Sequence, residues 1–427
     1  MQPALTPIRV LRFVERAAEA AFRVERRLDP LYRDQFDRLL RDPLFDLAQA
    51  LVNLRLPRDR GLALAEEQPL PDEELHTAAV IELMTTFLHR NWPPGKAQRA
   101  GNTKTYGVVR GEFGVLGNLP LNLRHGVFAR PRTFPAWVRF AGPGPLTPPD
   151  LDDNGVLSFA IKLMGVPGPK LIDDERFTQD FLGISAPTFT TPDVRANVQL
   201  QRRLGAGIPL FYFLDPRDSH VLDLIMQGLY SRTQTSPLEV SYYSCVPYLL
   251  GEGQAMKYSL RPRSRHRTRI APFPSDDYLR EAMAAALIER QVTFDFLVQL
   301  QTDPARMPIE NASVRWPEHL SPHVRVAELR LPAQIFDSPG QRAFAGSLSF
   351  NPWHALPEHR PLGNQNRARK AIYMELSRVR QQMNAAARIE PTGDETFAPA
   401  GSADPLGFGG HVPTRAQTRG PKAARRP

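Results

Sequence analysis

The sequence predicts an α+β protein in which antiparallel strands form a barrel or a sandwich that carries additional helices. Short β-type runs begin after residue 104, and clusters of glycine, proline and asparagine separate them, which is typical of antiparallel sheets. Helical patterns precede these runs, interrupt them and follow them. The 42 prolines, about twice the usual share, indicate long irregular connections rather than a helix bundle.

Composition narrows the class of protein. The 427 residues allow a large core and two or three subdomains, and 42% apolar with 23% charged residues is ordinary for a soluble protein. No run approaches the roughly 18 to 20 apolar residues of a membrane span, and no secretory signal is recognised, so we expect a cytoplasmic protein without a transmembrane segment. The single cysteine, Cys245, excludes a disulfide framework within one chain, and its apolar neighbours predict a buried structural thiol.

The net charge of +9 comes from two stretches of the chain. Five arginines alternate along residues 261–269, and five more basic residues lie in residues 415–426. No nucleic-acid-binding motif accompanies either stretch, so we expect a solvated loop and a basic tail and no nucleic-acid partner.

Residues 1–70 are predicted to form a helical arm. Apolar residues from Val10 to Phe22 recur on one face of a helix, and helical signals continue to about Leu56. We interpret the arm as an oligomerisation arm or as a helical pair packed on the main domain. A targeting presequence or an interfacial helix is the alternative, and the abundant acidic residues argue against targeting.

Residues 71–387 are predicted to form the main domain and residues 388–427 a disordered tail rich in proline, glycine, alanine and basic residues. Helices are predicted over 71–92, 193–205, 217–231, 276–291 and 364–384. Strands are predicted around 108–115, 126–129, 137–140, 160–164, 256–260, 294–301 and 324–331.

One pair of residues in the last predicted helix indicates chemistry. Arg369 and Tyr373 are four residues apart, so they lie on the same face of a helix and can contact each other. A neighbouring guanidinium stabilises a phenolate, and a tyrosinate is one of the known axial ligands of haem iron. Such a pair is usually a simple surface contact, so the surrounding sequence decides whether it indicates an iron ligand. His354 and His359, five apart in a loop, are not predicted to bind a metal.

The context of this pair resembles the short bacterial catalase-like haem proteins. The matching proximal segment comprises residues 350–363 and then Asn366, Arg367, Arg369 and Tyr373. Further matching blocks, in the order the family shows, are residues 126–131, 134–140, 160–168, 178–182, 257–262 and 299–304. The resemblance extends over about residues 72–384 and is specific because so many blocks occur in the same order.

The resemblance implies a catalase-like antiparallel β-barrel with helical additions, and a haem b pocket between the barrel and the C-terminal helix. By position, Tyr373 would be the iron ligand and Arg369 its partner. Arg139 would be the arginine that pairs with a haem propionate, which suits the bidentate fork of a guanidinium. The resemblance also implies a homo-oligomer.

The sequence departs from the family on the distal side. Tyr106 occupies the place of the family's histidine and Ser185 the place of its asparagine, and these two are the candidate catalytic residues. An imidazole accepts and returns a proton near neutral pH, whereas a phenol is a poor base. We therefore expect weak dismutation of hydrogen peroxide.

Two functions follow from an intact proximal side and an altered distal side. The first is a haem-dependent oxidoreductase or isomerase that acts on an organic or fatty-acid hydroperoxide or another small substrate. The second is a non-catalytic haem-binding or lipid-binding protein whose distal pocket is plugged by Tyr106. The sequence names no substrate.

Overall fold

The computed structural model describes residues 5–55 and 61–397. Its helices are α1 (Leu5–Phe36), α2 (Asp42–Arg55), α3 (Glu73–Asn91), α4 (Val194–Ala206), α5 (Leu210–Phe213), α6 (Val221–Tyr230), α7 (Tyr278–Glu289), α8 (Pro339–Ser347) and α9 (Asn364–Met383). Its strands are β1 (Thr105–Val115), β2 (Thr133–Ala141), β3 (Ser158–Leu163), β4 (Gln179–Ile184), β5 (Tyr242–Tyr243), β6 (Tyr248–Leu249), β7 (Ala255–Pro262), β8 (Val292–Leu300) and β9 (Val324–Leu331). The α+β class is confirmed.

The strands form a closed antiparallel barrel. Strands β1 to β5 follow one another across the sheet, and β9, β8 and β7 continue it from the other edge of β1. The pairing of β5 with β7 closes this sheet, while the short β6 extends from β7 outside the closure. Of the two architectures that the sequence left open, the barrel is the one observed.

One predicted strand is absent from the barrel. Residues 126–129 contain a single 3₁₀ turn, because Gly126 adopts a positive φ of 53° against the ring of His359. A Cβ at Gly126 would lie 2.3 Å from the His359 Nε2 atom, and that nitrogen accepts a hydrogen bond from the amide of Val127. Glycine is therefore required at this position, and the segment cannot continue as a strand.

The interior of the barrel is filled by side chains. Phe113, Phe181 and Phe296 contact one another with ring centroids 5.0 to 6.0 Å apart, and Tyr258 packs on Phe296 at 5.3 Å. Side chains alternate between the two faces of a strand, so the other faces of β3 and β4 point out of this core. Space for a ligand is therefore found outside the barrel, against those outer faces.

Helix α9 is held in a fixed rotation by contacts at its first turns. The side chain of Asn364 accepts a hydrogen bond from Val194 N and donates to the carbonyl of Glu310. Arg367 forms ion pairs with Glu73 and with Glu310. Apolar residues of α3, α4 and α9 form one buried cluster. These contacts direct the opposite face of α9, which carries Arg369 and Tyr373, toward the barrel.

The N-terminal helices lie against the main body of the chain. A π-helical turn over Asp37–Arg41 joins α1 to α2. Helix α2 buries Phe45 and Ala48 against Met226 and Leu229 of α6. None of the described helices is long and apolar enough to cross a membrane.

Part of the predicted C-terminal tail contacts the barrel. The side chain of Glu390 accepts hydrogen bonds from Arg176 N and Phe177 N, and Glu395 accepts one from the Trp137 indole at 2.8 Å. Residues 398–427 lie outside the described part of the chain.

Candidate functional site

A cavity lies between the outer faces of β3 and β4 and helix α9. It contains about 1030 Å³ of space free of protein atoms, part of which is open to solvent. About 180 Å³ of it is accessible to the centre of a water-sized molecule. Apolar side chains dominate its wall, among them Met84, Phe159, Ala160, Leu182, Ile184, Phe189, Phe350, Ile372 and Leu376.

Arg369 and Tyr373 contact each other in the wall of this cavity. The Arg369 Nη2 atom donates to the Tyr373 hydroxyl at 3.2 Å, and Nη1 donates to the Asn366 side-chain oxygen at 2.9 Å. Burial opposes the charge of Arg369, but the phenol oxygens of Tyr373 and Tyr248 raise its pKa above the ordinary value. Arg369 therefore stays a cation, and its guanidinium lies beside the Tyr373 oxygen.

Three further arginines, Arg99, Arg139 and Arg380, converge on the cavity. Arg139 donates to the carbonyl of Asn102 and to the hydroxyl of Thr105, the latter at 2.9 Å. Arg99 and Arg380 both donate to the carbonyl of Leu348, at 2.8 and 3.1 Å. Among the described residues that line the cavity, none is acidic.

The guanidiniums of Arg99, Arg139 and Arg380 repel one another. None of the described residues that line the cavity supplies a negative charge to balance them. Burial, together with the charge of Arg380, lowers the pKa of Arg139 to about 9. Burial also lowers the pKa of Arg99, and the charges of Arg139 and Arg380 lower it further. Buried unpaired charges are costly for a folded protein, so this cluster is suited to an anionic ligand that would neutralise it.

Of the three arginines in this cluster, the sequence predicts only Arg139. Arg380 follows Tyr373 by seven residues, which is two helical turns, and that spacing could have identified it. Arg99 lies in the connection before β1, where no local pattern predicts which way its side chain points.

Tyr106 and Ser185 are not among the residues that line the cavity. Tyr106 belongs to the core of the barrel and is 1% exposed, its hydroxyl lies beside Gly142, and burial raises its pKa. The hydroxyl oxygen of Ser185 accepts a hydrogen bond from Leu157 N at 2.9 Å. The structure thus brings Tyr373, Arg369 and Arg139 together and places the two distal candidates elsewhere.

Two residues that line the cavity have an unusual backbone. Asn102 has a φ of 47° and Cys245 a φ of 61°, the left-handed region that asparagine tolerates better than cysteine. The Cys245 thiol donates to the carbonyl of Ala186 at 3.0 Å, and burial raises its pKa to about 12. Cys245 is thus a buried, protonated thiol, as its sequence context predicts.

The described wall of the cavity offers no ordinary general base. It contains neither a histidine nor a carboxylate. Its polar groups are the Tyr373 phenol, the four guanidiniums, hydroxyl groups of serine, the amide of Asn102 and the Cys245 thiol. The site can bind an anion, but its described wall lacks an imidazole for shuttling a proton.

A second polar cluster, around Lys162, lies apart from the cavity. Glu175, Asp180 and His354 each offer one possible ligand atom, and these three atoms lie within 4.8 Å of one another, which is close enough to hold a metal ion. The ammonium of Lys162 already lies among them, 2.8 Å from an Asp180 oxygen and bonded to Glu175. All four side chains are buried, and Lys162 supplies positive charge to this cluster together with Arg388, which pairs with Glu175.

His359 makes a pH-dependent contribution to stability. Burial in the barrel lowers its pKa to about 4, so the native state holds this ring neutral. The unfolded chain protonates it below about pH 6.5, so stability is lost as the pH falls from about 6.5 toward 4, by about 3 kcal/mol in all. The free energy of unfolding, measured by urea titration, should fall less between pH 7 and pH 4.5 in His359→Gln than in the parent. The exposed control His319→Gln should match the parent, and equal losses in all three proteins would contradict the assignment.

Comparison with known proteins identifies the fold of this chain but not its activity. No family model matches the sequence, and no curated protein matches it. A bacterial catalase matches 86% of this chain over 73% of its own length, with 18% identity and a TM-score of 0.51. A fungal catalase covers 87% of this chain and 80% of its own, with 14% identity and a TM-score of 0.53. Catalase A from Saccharomyces cerevisiae covers 87% and 79%, with 15% identity and a TM-score of 0.54. The chain has a catalase-like fold.

Proposed function

We propose that the cavity binds haem b, with the Tyr373 oxygen as the iron ligand. The observation that carries this proposal is the combination of a phenol paired with a cation and three unpaired arginines around one apolar cavity. A flat apolar molecule with a ferric centre and two carboxylates complements every part of that arrangement. The catalase-like fold supports the same cofactor.

The arginine cluster suits the two propionates of haem. Guanidiniums bind carboxylates through paired hydrogen bonds, and two propionates would supply the negative charge that Arg99, Arg139 and Arg380 lack. The apolar wall formed by Phe159, Leu182 and similar residues suits the macrocycle. The residues present therefore fit the cofactor that the fold suggests.

The chemistry proposed is rearrangement of an organic hydroperoxide, an isomerisation that needs no added oxidant or reductant. Bound ferric haem supplies the redox chemistry on the peroxide bond. The chain itself contributes Arg369, which holds negative charge on the Tyr373 oxygen, and an apolar wall that excludes water and accepts an alkyl chain. A wall without an imidazole or a carboxylate disfavours dismutation of hydrogen peroxide, and the proposal assigns no step to Tyr106 or Ser185.

Peroxide turnover by the haem-loaded protein tests this chemistry. We expect faster consumption of a fatty-acid hydroperoxide than of hydrogen peroxide, because loss of acid–base help costs about 10²–10⁴-fold in rate. The measurement is loss of each peroxide under matched conditions, with Tyr373→Phe as the inactive control. Faster turnover of hydrogen peroxide than of the fatty-acid hydroperoxide would contradict the proposed substrate class.

The missing base also favours a second candidate, a non-catalytic protein that binds haem or an anionic lipid. An apolar cavity with three arginines would hold the carboxylate and the chain of a fatty acid by the same contacts. A haem-loaded protein that turns over neither peroxide would support the non-catalytic reading. If a fatty acid displaced the bound haem, the result would favour a lipid-binding protein over a haem-binding one.

A further inference from the structure

The loop between β7 and α7 (the β7–α7 loop, residues 263–277) is fixed to the barrel along its first half. At its start, Arg263 forms an ion pair with Asp295 of the neighbouring strand β8 at 2.8 Å. Farther along, the amide of Thr268 donates to the carboxylate of Glu239 at 2.9 Å. These contacts give the loop a defined base on the surface of the protein.

The second half of the β7–α7 loop presents an uncovered aromatic ring. Ile270 packs against the core of the barrel, and Phe273 follows it between Pro272 and Pro274. Phe273 is 97% exposed, more than any other large hydrophobic residue in the described part of the chain. Each proline restricts its own φ and favours an extended backbone in the residue before it, so the ring is held out on a stiff segment.

Two cations of the loop have no acidic partner. Arg261 and Arg263 pair with acidic side chains, and Arg267 donates to a backbone carbonyl. Arg265 and Arg269 are exposed and form no ion pair with any residue that the structure describes. Two unpaired positive charges therefore lie on the same loop as the exposed phenylalanine ring.

We propose that the β7–α7 loop docks the protein on the surface of an anionic lipid bilayer. A basic residue close to such a surface gains about fivefold in affinity from the negative headgroups. An exposed aromatic ring inserts at the level of the headgroups and leaves water. Residues 265–273 combine both kinds of side chain. The acidic residues of the loop lie at its end, where Lys104 pairs with Asp277 at 2.9 Å, so the loop as a whole stays positive.

Nucleic acid is the other polyanion that a basic loop could bind. A specific protein–DNA interface buries about 1,000–2,500 Å² of protein surface and places many basic groups on phosphates. The β7–α7 loop offers two unpaired arginines and one apolar ring, which is a small contact with few phosphate ligands. An apolar tip between basic residues suits a lipid surface, which holds both anionic headgroups and apolar chains.

Docking on a bilayer does not require the cofactor. A bilayer dissolves fatty-acid hydroperoxides, so docking would bring the cavity close to such a substrate, and this consequence alone rests on the proposed function. The haem-free and the haem-loaded chain should bind vesicles equally well. A protein that binds vesicles but no haem would therefore refute the proposed function and leave the docking surface standing.

The test is sedimentation of the full chain with vesicles of phosphatidylcholine that contain about 30% phosphatidylglycerol. The parent should bind these vesicles at least about tenfold more tightly than vesicles of phosphatidylcholine alone. Arg265→Gln/Arg269→Gln should weaken binding about 25-fold, since it removes two attractions of about fivefold each. Phe273→Ser should weaken binding at least about fivefold, because the inserted ring is lost.

Two variants outside the loop are the matched controls. Arg290→Gln/Arg306→Gln removes two exposed arginines that form no ion pair with the described residues, and Phe177→Ser removes a ring that is 62% exposed. Both should bind the anionic vesicles as the parent does. All the substituted side chains are exposed, and circular dichroism of each variant checks that it is folded.

Three outcomes would overturn the proposal. A parent that does not sediment with the anionic vesicles does not dock on such a surface. Parent-like binding in both loop variants would place the lipid contact elsewhere, such as in the basic residues 415–426. A parent that binds a DNA duplex but no vesicles, and loses the duplex in Arg265→Gln/Arg269→Gln, would assign the loop to nucleic acid.

Discussion

Haem affinity is expected to fall about 10²–10⁴-fold when Arg139 and Arg380 are both replaced by glutamine. Each hydrogen bond to a charged group contributes about 1.5–3 kcal/mol, and both guanidiniums line the cavity in which the proposed function places the propionates. The haem-free protein should lose no more than a small part of its stability, because the change relieves repulsion between buried cations. The measurements are haem titration followed by absorbance and urea unfolding of the haem-free chain.

Arg378→Gln is the matched control for that double variant. Arg378 lies on the same helix as Arg380 but pairs with Glu375 at the surface and is half exposed. Its replacement should leave haem affinity unchanged. Parent-like affinity in the Arg139→Gln/Arg380→Gln protein, with the fold intact, would show that the arginine cluster does not bind the cofactor.

Lys162→Met is expected to destabilise the protein by about 3–5 kcal/mol. Removing one partner from a buried ion pair leaves the other charges less compensated, and here Glu175 and Asp180 would both lose the Lys162 ammonium, while Arg388 and His354 remain beside them. The measurement is the free energy of unfolding in urea. The exposed control Lys96→Met should stay within about 0.5 kcal/mol of the parent.

A second substitution tests whether charge is the cause of that loss. Asp180→Asn in the Lys162→Met background removes one of the uncompensated charges and should restore part of the lost stability. A double variant less stable than Lys162→Met would contradict an electrostatic origin. A loss below about 1 kcal/mol in Lys162→Met alone would show that the cluster is not the buried ion-pair network described here.

Most of the helices and most of the barrel strands could be predicted because their patterns are local. The spacing of Arg369 and Tyr373 on one helix fixes their contact without any knowledge of the rest of the fold. Predicted strands over 256–260 and 324–331 agree with β7 and β9 for the same reason. Strands β4 and β6 are not among the predicted strands, and β6 has only two residues.

The distal side could not be predicted because side-chain direction depends on register. The pairing of β1 with β2 is irregular between Thr105 and Gly107, on either side of Tyr106. A bulge at that point changes which face a side chain occupies, so a match by sequence position does not fix its direction. Asn102 and Arg99, a few residues earlier, line the cavity instead.

Ferric haem titration of the parent beside Tyr373→Phe tests the central claim most directly. The phenylalanine ring keeps the shape of the side chain but removes the one oxygen that faces both Arg369 and the cavity. We expect the parent to bind one haem per chain, and the variant to bind it at least tenfold more weakly with a different absorption spectrum. Equal affinity and identical spectra in the two proteins would show that Tyr373 is not the iron ligand.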